Sequence, residues 1–192
     1  MKTAMEYGDA VKLFDKYIKT EHLRLHSRES EVIMRKIAKY FEEDENLWGI
    51  TGLLHDLDMD LINGNYTQHG EKTIELIKDA GYDIPEMFKA IKAHTEVLEN
   101  SEGKRETRLD YVLAGAENLT GIISAYVAVR PGKKIEGAKQ KSVVKKLKDK
   151  SFAAAVNRQM INDVSEKTDL ERSQFIQMGI EAMTEIADEL GM

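Results

Sequence analysis

The chain contains no cysteine. That absence removes disulfides, thiolate metal sites and a cysteine nucleophile together, so any bound metal must rest on nitrogen and oxygen donors. Proline is nearly missing: Pro85 and Pro131 are the only two, and long stretches are free to run as uninterrupted helix. No apolar run approaches the roughly 20 residues that span a bilayer, which argues against a membrane partner. The first residues, Met1-Lys2-Thr3-Ala4-Met5-Glu6, lack the apolar centre of a signal peptide, and the expectation is a cytoplasmic protein. A glycine-rich phosphate loop of the P-loop type is absent. Basic residues are outnumbered, 28 Lys and Arg against 34 Asp and Glu, for a formal net charge of -6. That balance argues against nucleic acid as a partner of the whole surface.

The charge is uneven. Between Arg130 and Lys150 nine basic residues stand against two acidic ones, Glu136 and Asp149. Such a run is ordinarily a solvated helix face, and it also has the sign to draw anions toward a phosphate site.

The content that is present fits a soluble globular chain, 42% hydrophobic and 32% charged. Its 192 residues suffice for one well-buried core, so a single domain over 1–192 is expected. Apolar residues recur at helical spacing almost throughout. Val11, Phe14, Tyr17 and Ile18 form one stripe, and Ile33, Ile37 and Phe41 a second, with His26 on about the same face. Leu47, Ile50, Leu53, Leu54 and Leu57 form a third, and Ile74 and Ile77 mark a helix after Tyr66-Thr67-Gln68-His69. Pro85 suits the first turn of a helix carrying Phe88, Ile91 and His94. A long helix is expected from Thr107 to Val129, stopped by Pro131-Gly132. Val143, Val144 and Leu147 predict a short helix, Phe152, Val156, Met160 and Val164 another, and Phe175 to Leu190 the last, ending at Gly191. No segment alternates cleanly, and the flanks of Asn63-Gly64-Asn65 are too short and polar for a hairpin. The fold class is therefore all-α, one compact helical bundle of about eight to ten helices. The apolar last helix offers a surface for a homodimer.

Four histidines, His26, His55, His69 and His94, lie on or near these apolar helices, and one sits in Leu53-Leu54-His55-Asp56, with Asp58 and Asp60 following at once. An isolated His-Asp pair carries little, but buried imidazoles and carboxylates are costly unless paired or metal-bound. Ligands from separate helices suit a catalytic metal centre, because they leave coordination positions open. Nitrogen and oxygen donors accept Fe, Mn, Co, Ni, Zn or Mg.

With His26, then His55-Asp56, then a carboxylate in Ala116-Glu117-Asn118-Leu119-Thr120-Gly121, the chain resembles the HD-domain superfamily of metal-dependent phosphohydrolases. The resemblance covers about residues 20 to 130, the metal-site core; residues 131–192 would form a helical cap. The stretch Lys145 to Ala153 is similar to the tail of small bacterial HD hydrolases. An all-helical fold is implied, in agreement with the periodicity. So are divalent metal ligands at His26, His55, Asp56 and Glu117. The pattern's last ligand is aspartate, and Glu117 stands there with the same carboxylate and one methylene more reach; Asp110, two turns earlier on a similar face, is its competitor. His69 and His94 hold places where some members bind a second ion, with Asp56 bridging, or else act behind the ligands. His22 shares the face of His26 and is expected at the surface.

The implied reaction is attack of a metal-bound hydroxide on phosphorus, with Asp56 central, in a small phosphorylated substrate such as a nucleotide or dinucleotide. Lys72, three residues after His69, is the candidate for neutralising the phosphate, alongside Arg130, Lys133 and Lys134. Tyr66, Trp48 and Tyr126 carry rings able to stack a base, and each also reads as core. Three other functions stay open. One is a diiron oxygenase of the same fold. Another is a non-catalytic nucleotide- or metal-binding module with a degenerate site. The last is an RNA contact through residues 130–150, whose affinity would fall steeply with salt.

Overall fold

Ten α-helices make up the regular structure of residues 1–98, 101 and 103–192, the part of the chain that the computed structural model describes. They are α1 (Tyr7–Tyr17), α2 (Glu21–Phe41), α3 (Glu45–Leu54), α4 (Glu71–Asp79), α5 (Pro85–His94), α6 (Arg108–Ala128), α7 (Gln140–Lys148), α8 (Arg158–Lys167), α9 (Arg172–Glu185) and α10 (Ala187–Leu190). An isolated parallel bridge joins Lys2 to Tyr82; no strand forms among the described residues. No helix is long and apolar enough to cross a membrane among those residues.

Local chemistry sets the helix starts. The Asp44 carboxylate accepts from the backbone N–H groups of Asn46 and Leu47 at 2.8 and 3.0 Å and opens α3. Pro85 occupies the first turn of α5, where its missing N–H leaves no helical bond unmade. Thr107 and Asp110 form a reciprocal capping box at the head of α6. Asn157 caps α8 by accepting from Gln159 N at 3.1 Å.

Helix α2 is the centre of the packing, set against α3, α6 and α9. Its approach to α3 is close because residue 52 is glycine: a Cβ there would lie 2.9 Å from the Ser30 carbonyl oxygen and 3.0 Å from the Glu31 nitrogen. One apolar cluster gathers α2, α6, α8 and α9 around Ile33, Leu113, Val164 and Phe175. A second gathers α1, α3, α4 and α5 around Phe14, Leu53, Ile77 and Ile91. The end of α3 enters this interior, so the residues that follow it are buried before the chain turns back to the surface.

Two expectations are corrected. Phe152 and Val156 are not helical; residues 149–157 form an irregular loop, gathered by the Arg158 side chain onto the carbonyls of Leu147, Asp149, Phe152, Ala153 and Val156. The last apolar segment is broken at Ile186 between α9 and α10. Phe175, Ile176, Ile180 and Met183 of α9 lie inside the first cluster, so its apolar stripe is used within the chain.

Candidate metal centre

Six side chains from five places in the fold converge. His26 comes from the second turn of α2, and His55 is the residue that closes α3. Asp56 opens the buried turn after it, where Met59 N donates to the Asp56 carbonyl at 3.0 Å. His69 follows the 3-10 turn Tyr66–Gln68, His94 ends α5, and Glu117 lies midway along α6.

Asp56 is the hub. Its Oδ1 stands 3.4 Å from His55 Nε2, 3.4 Å from His69 Nε2 and 3.6 Å from His94 Nε2. Its Oδ2 stands 3.6 Å from His26 Nε2. Glu117 Oε2 is 3.6 Å from His55 Nε2. The donors fall into two sets, His26 with His55 and Glu117, and Asp56 with His69 and His94; within each set the ligand atoms lie within 4.8 Å of one another.

The other ring nitrogens explain why every Nε2 faces inward. His55 Nδ1 donates to the Gly52 carbonyl at 2.8 Å, and His94 Nδ1 donates to the Ile91 carbonyl. His69 Nδ1 donates to Asp58 Oδ1 at 2.8 Å. His26 Nδ1 lies 3.0 Å from Thr120 Oγ1, whose own proton is given to the Glu117 carbonyl at 2.6 Å, so the imidazole is the donor there. With a proton fixed on each Nδ1, each Nε2 presents a lone pair. His69 Nε2 and His94 Nε2 then stand 3.0 Å apart as two acceptors. His55 Nε2 is buried with no hydrogen-bond partner, facing two carboxylates. Lone pairs turned on lone pairs repel in a low-dielectric interior, and a proton or a cation must lie between them. Each side offers three donors, all nitrogen or oxygen, a set that would suit a first-row divalent metal with positions left open.

The electrostatics agree. Burial pushes His55 below the usual imidazole range. It takes His26 down to about 4, although part of that ring remains open to solvent. Burial also acts on His69, but the Asp58 hydrogen bond and the charges of Asp56 and Asp58 raise it overall. Burial opposes the Asp56 carboxylate, and His55, His94, His26 and His69 together hold it well below the ordinary value. Burial and the Asp56 charge push Glu117 well above its ordinary value.

Asp110 is not part of the cluster. Its Oδ2 accepts from Glu106 N and Thr107 N at 2.9 and 2.8 Å, so the competing carboxylate belongs to the α6 cap. Lys72 is not brought in either: its ammonium pairs with Glu75 at 2.8 Å on the exposed side of α4. His22 is exposed, Trp48 is core, and Tyr126 lies under the Arg130 guanidinium. Arg130 holds its own loop, donating to the carbonyls of Ile135 and Glu136 at 3.1 and 3.0 Å.

Sequence reasoning missed three supporting residues. Asp58 is fully buried and accepts from His69 Nδ1, from Gly70 N at 2.8 Å and from Thr73 N at 3.3 Å. The only sequence signal for it was the aspartate two residues after Asp56. Thr120 orients His26. Asn118 donates to Glu117 Oε1 at 2.8 Å, and its own Oδ1 accepts from Asn157 N at 2.8 Å, tying the ligand to the cap of α8.

A family model described as HD domain matches residues 24–128, which contain all six converging side chains. No curated protein and no solved structure is significantly similar to the chain.

Proposed function

The chain belongs to the HD-domain family, and from that premise we propose that it is a phosphohydrolase that uses two divalent ions to cleave a small phosphorylated substrate, a nucleotide or dinucleotide. The carrying observation is the set of four imidazoles, each fixed through Nδ1, whose Nε2 lone pairs converge on Asp56. His26, His55 and Glu117 would hold one ion, and His69 and His94 the other, with the two oxygens of Asp56 turned toward both sets. When bound, such ions lower the pKa of water and offset charge on phosphoryl oxygens.

The chain's own part is orientation. The Gly52 and Ile91 carbonyls, Thr120 and Asp58 hold the rings in the one tautomer that leaves Nε2 bare. Burial and the Asp56 charge raise the Glu117 carboxyl well above its ordinary value, and serving as a ligand would require its ionised form. Tyr66 stands half-exposed, its ring centroid 6.4 Å from that of His69, and offers a face to a base. Among the described residues no lysine or arginine is within ion-pair distance of the six side chains, and the Arg105 charge acts on Glu117 from farther off.

The test is phosphate release from a nucleotide panel by protein loaded with manganese or iron. Turnover should depend on metal and vanish in His55→Ala and Asp56→Ala, with circular dichroism unchanged. Protein that binds no metal stoichiometrically and hydrolyses no phosphoester overturns the proposal. A second reading, iron-dependent oxygen chemistry, draws on the same inclusion of His69 and His94 in one cluster. Oxygen uptake by the iron-loaded protein, without phosphate release, would select it.

A further inference from the structure

The cations of this chain are paired unevenly. Through α6 most of them, among them Arg24, Arg28, Arg35, Lys36, Arg105 and Arg108, pair with a carboxylate, while Lys2, Lys16, Lys19, Lys39, Lys78 and Lys104 form no such pair among the described residues. From Arg130 to Arg172, no lysine or arginine has a carboxylate partner among the described residues. Nor are these later cations spread evenly over a solvated face. Four of them, Lys148, Lys150, Arg158 and Arg172, line one cleft of about 400 Å³ between α7, the 149–157 loop, α8 and the start of α9.

No carboxylate lines that cleft. Two acidic residues adjoin the cleft's cations in sequence: Glu171, before Arg172, is not part of the lining, and Asp149 is turned to Ser151, accepting from its N–H and its hydroxyl at 3.0 and 2.6 Å. Asp163 of α8 is occupied by Arg105 and Gln159, at 2.8 and 2.7 Å. Arg158 is half-buried, and its donors all go to backbone carbonyls of the loop. Those bonds fix the guanidinium and shape the loop, but neutral carbonyls leave the positive charge without a counter-ion. Arg172 makes a single bond, to Asn162 Oδ1 at 3.0 Å, and its remaining donors have no partner among the described residues. Val144 and Leu147, both partly buried, supply an apolar side to the same cleft.

A fixed, half-buried cation, three further cations without a carboxylate partner among the described residues and an apolar wall make a place for an anion with an apolar body. We propose that this cleft is a second binding site, separate from the metal centre, for a small molecule carrying a phosphoryl group on an apolar or aromatic moiety. Arg158 supplies the field, Arg172 the directed N–H donors, Lys148 and Lys150 mobile countercharges, and Val144 and Leu147 the contact for the body. None of these residues is among the six converging ligands, so the proposal does not rest on hydrolysis taking place.

The probe is phenylphosphonate, whose carbon–phosphorus bond a phosphoester hydrolase does not cut, titrated into the ¹⁵N-labelled full chain. The expected result is saturable amide shifts at residues 147–159 and 172, weakened by added salt. Inorganic phosphate should bind the same residues more weakly, and phenol should not saturate them. The surface double variant Lys148→Ala, Arg172→Ala should lose about tenfold in affinity, with melting temperature and the amides of His55 and Asp56 unaltered. Shifts confined to the neighbourhood of Asp56, no saturable binding, or undiminished affinity in the double variant would overturn the proposal. So would tighter, salt-sensitive binding of a single-stranded oligonucleotide whose shifts run back through residues 133–146, which would assign the charge to a nucleic-acid face.

Discussion

The two ligand sets meet at Asp56 but are built differently. His69 has a buried carboxylate behind its ring, Asp58, which is itself held by two backbone N–H groups. His26 and His55 have neutral partners, a threonine hydroxyl and a backbone carbonyl, and so does His94 of the second set, on the Ile91 carbonyl; the carboxylate brace is particular to His69. A carboxylate behind an imidazole makes it more basic and a stronger metal donor, whereas a neutral oxygen only sets its orientation. The titration behaviour follows the same division: His69 is raised, while burial lowers His26 and His55. Part of the second set is also local in sequence: Asp56, Asp58, His69 and Gly70 belong to the one segment between α3 and α4, while His94 reaches it from the end of α5. The first spans three helices and depends on the seam between α2 and α6, where His26 meets Thr120 and Glu29 meets Ser124. One set is thus braced electrostatically at His69, the other by helix packing alone.

That contrast can be broken from several sides. The largest effect is expected where the sets meet. Asp56→Ala should reduce metal-dependent hydrolysis by about a thousandfold or more and remove both ions, read by turnover and by elemental analysis of dialysed protein. Asp58→Ala comes next. It should weaken metal binding by about 10- to 100-fold in calorimetric titration, whereas Thr120→Val should cost several-fold at most; equal losses would remove the distinction between the sets.

The α2–α6 seam has its own signature in pH. Burial raises the Glu29 carboxyl from 4.5 to about 7, against the smaller lowering effect of the Ser124 hydrogen bond. The folded state therefore keeps the proton that the unfolded chain loses. Stability from the protonated group is full below 4.5 and declines as pH rises toward about 7. Glu29→Gln, which keeps an acceptor for Ser124, should flatten that decline and gain about 2 kcal/mol at neutral pH in urea unfolding. A variant that follows the parent's pH curve would show that Glu29 is ionised in the fold. The smallest expected effect is that of Asn118→Ala, which frees Glu117 Oε1 from its tie to α8 and should lower metal affinity by about twofold, in the first set alone.

Much of the fold was readable because apolar residues recur at helical spacing and the punctuation is clear. Pro85, Thr107 and Pro131-Gly132 mark boundaries that the helices obey. Phe152 and Val156 keep the same spacing without being helical, because Arg158 satisfies the loop carbonyls with a side chain, and periodicity does not register a side chain bonding to backbone. At the site, His55-Asp56 stood out as a pair on a buried helix end, and the structure brings His26, His69, His94 and Glu117 to it. Asp110 competed with Glu117 on helical phase alone; its position three residues after Thr107 is that of a cap, and the cap prevails. Lys72 shared a sequence neighbourhood with His69 but not its direction, since the turn at Gly70, with a positive φ of 82°, lies between them. Asp58 and Asn118 act through contacts with residues far along the chain or with backbone N–H groups, and neither leaves a spacing that a sequence alone reveals.

The central claim is that Asp56 lies between two cations. Crystals grown with manganese, measured on both sides of its absorption edge, test it most directly. Two anomalous peaks about 3.5–4 Å apart are predicted, both in contact with Asp56, one bounded by His26, His55 and Glu117 and the other by His69 and His94. Density free of any anomalous peak at these six side chains would contradict it.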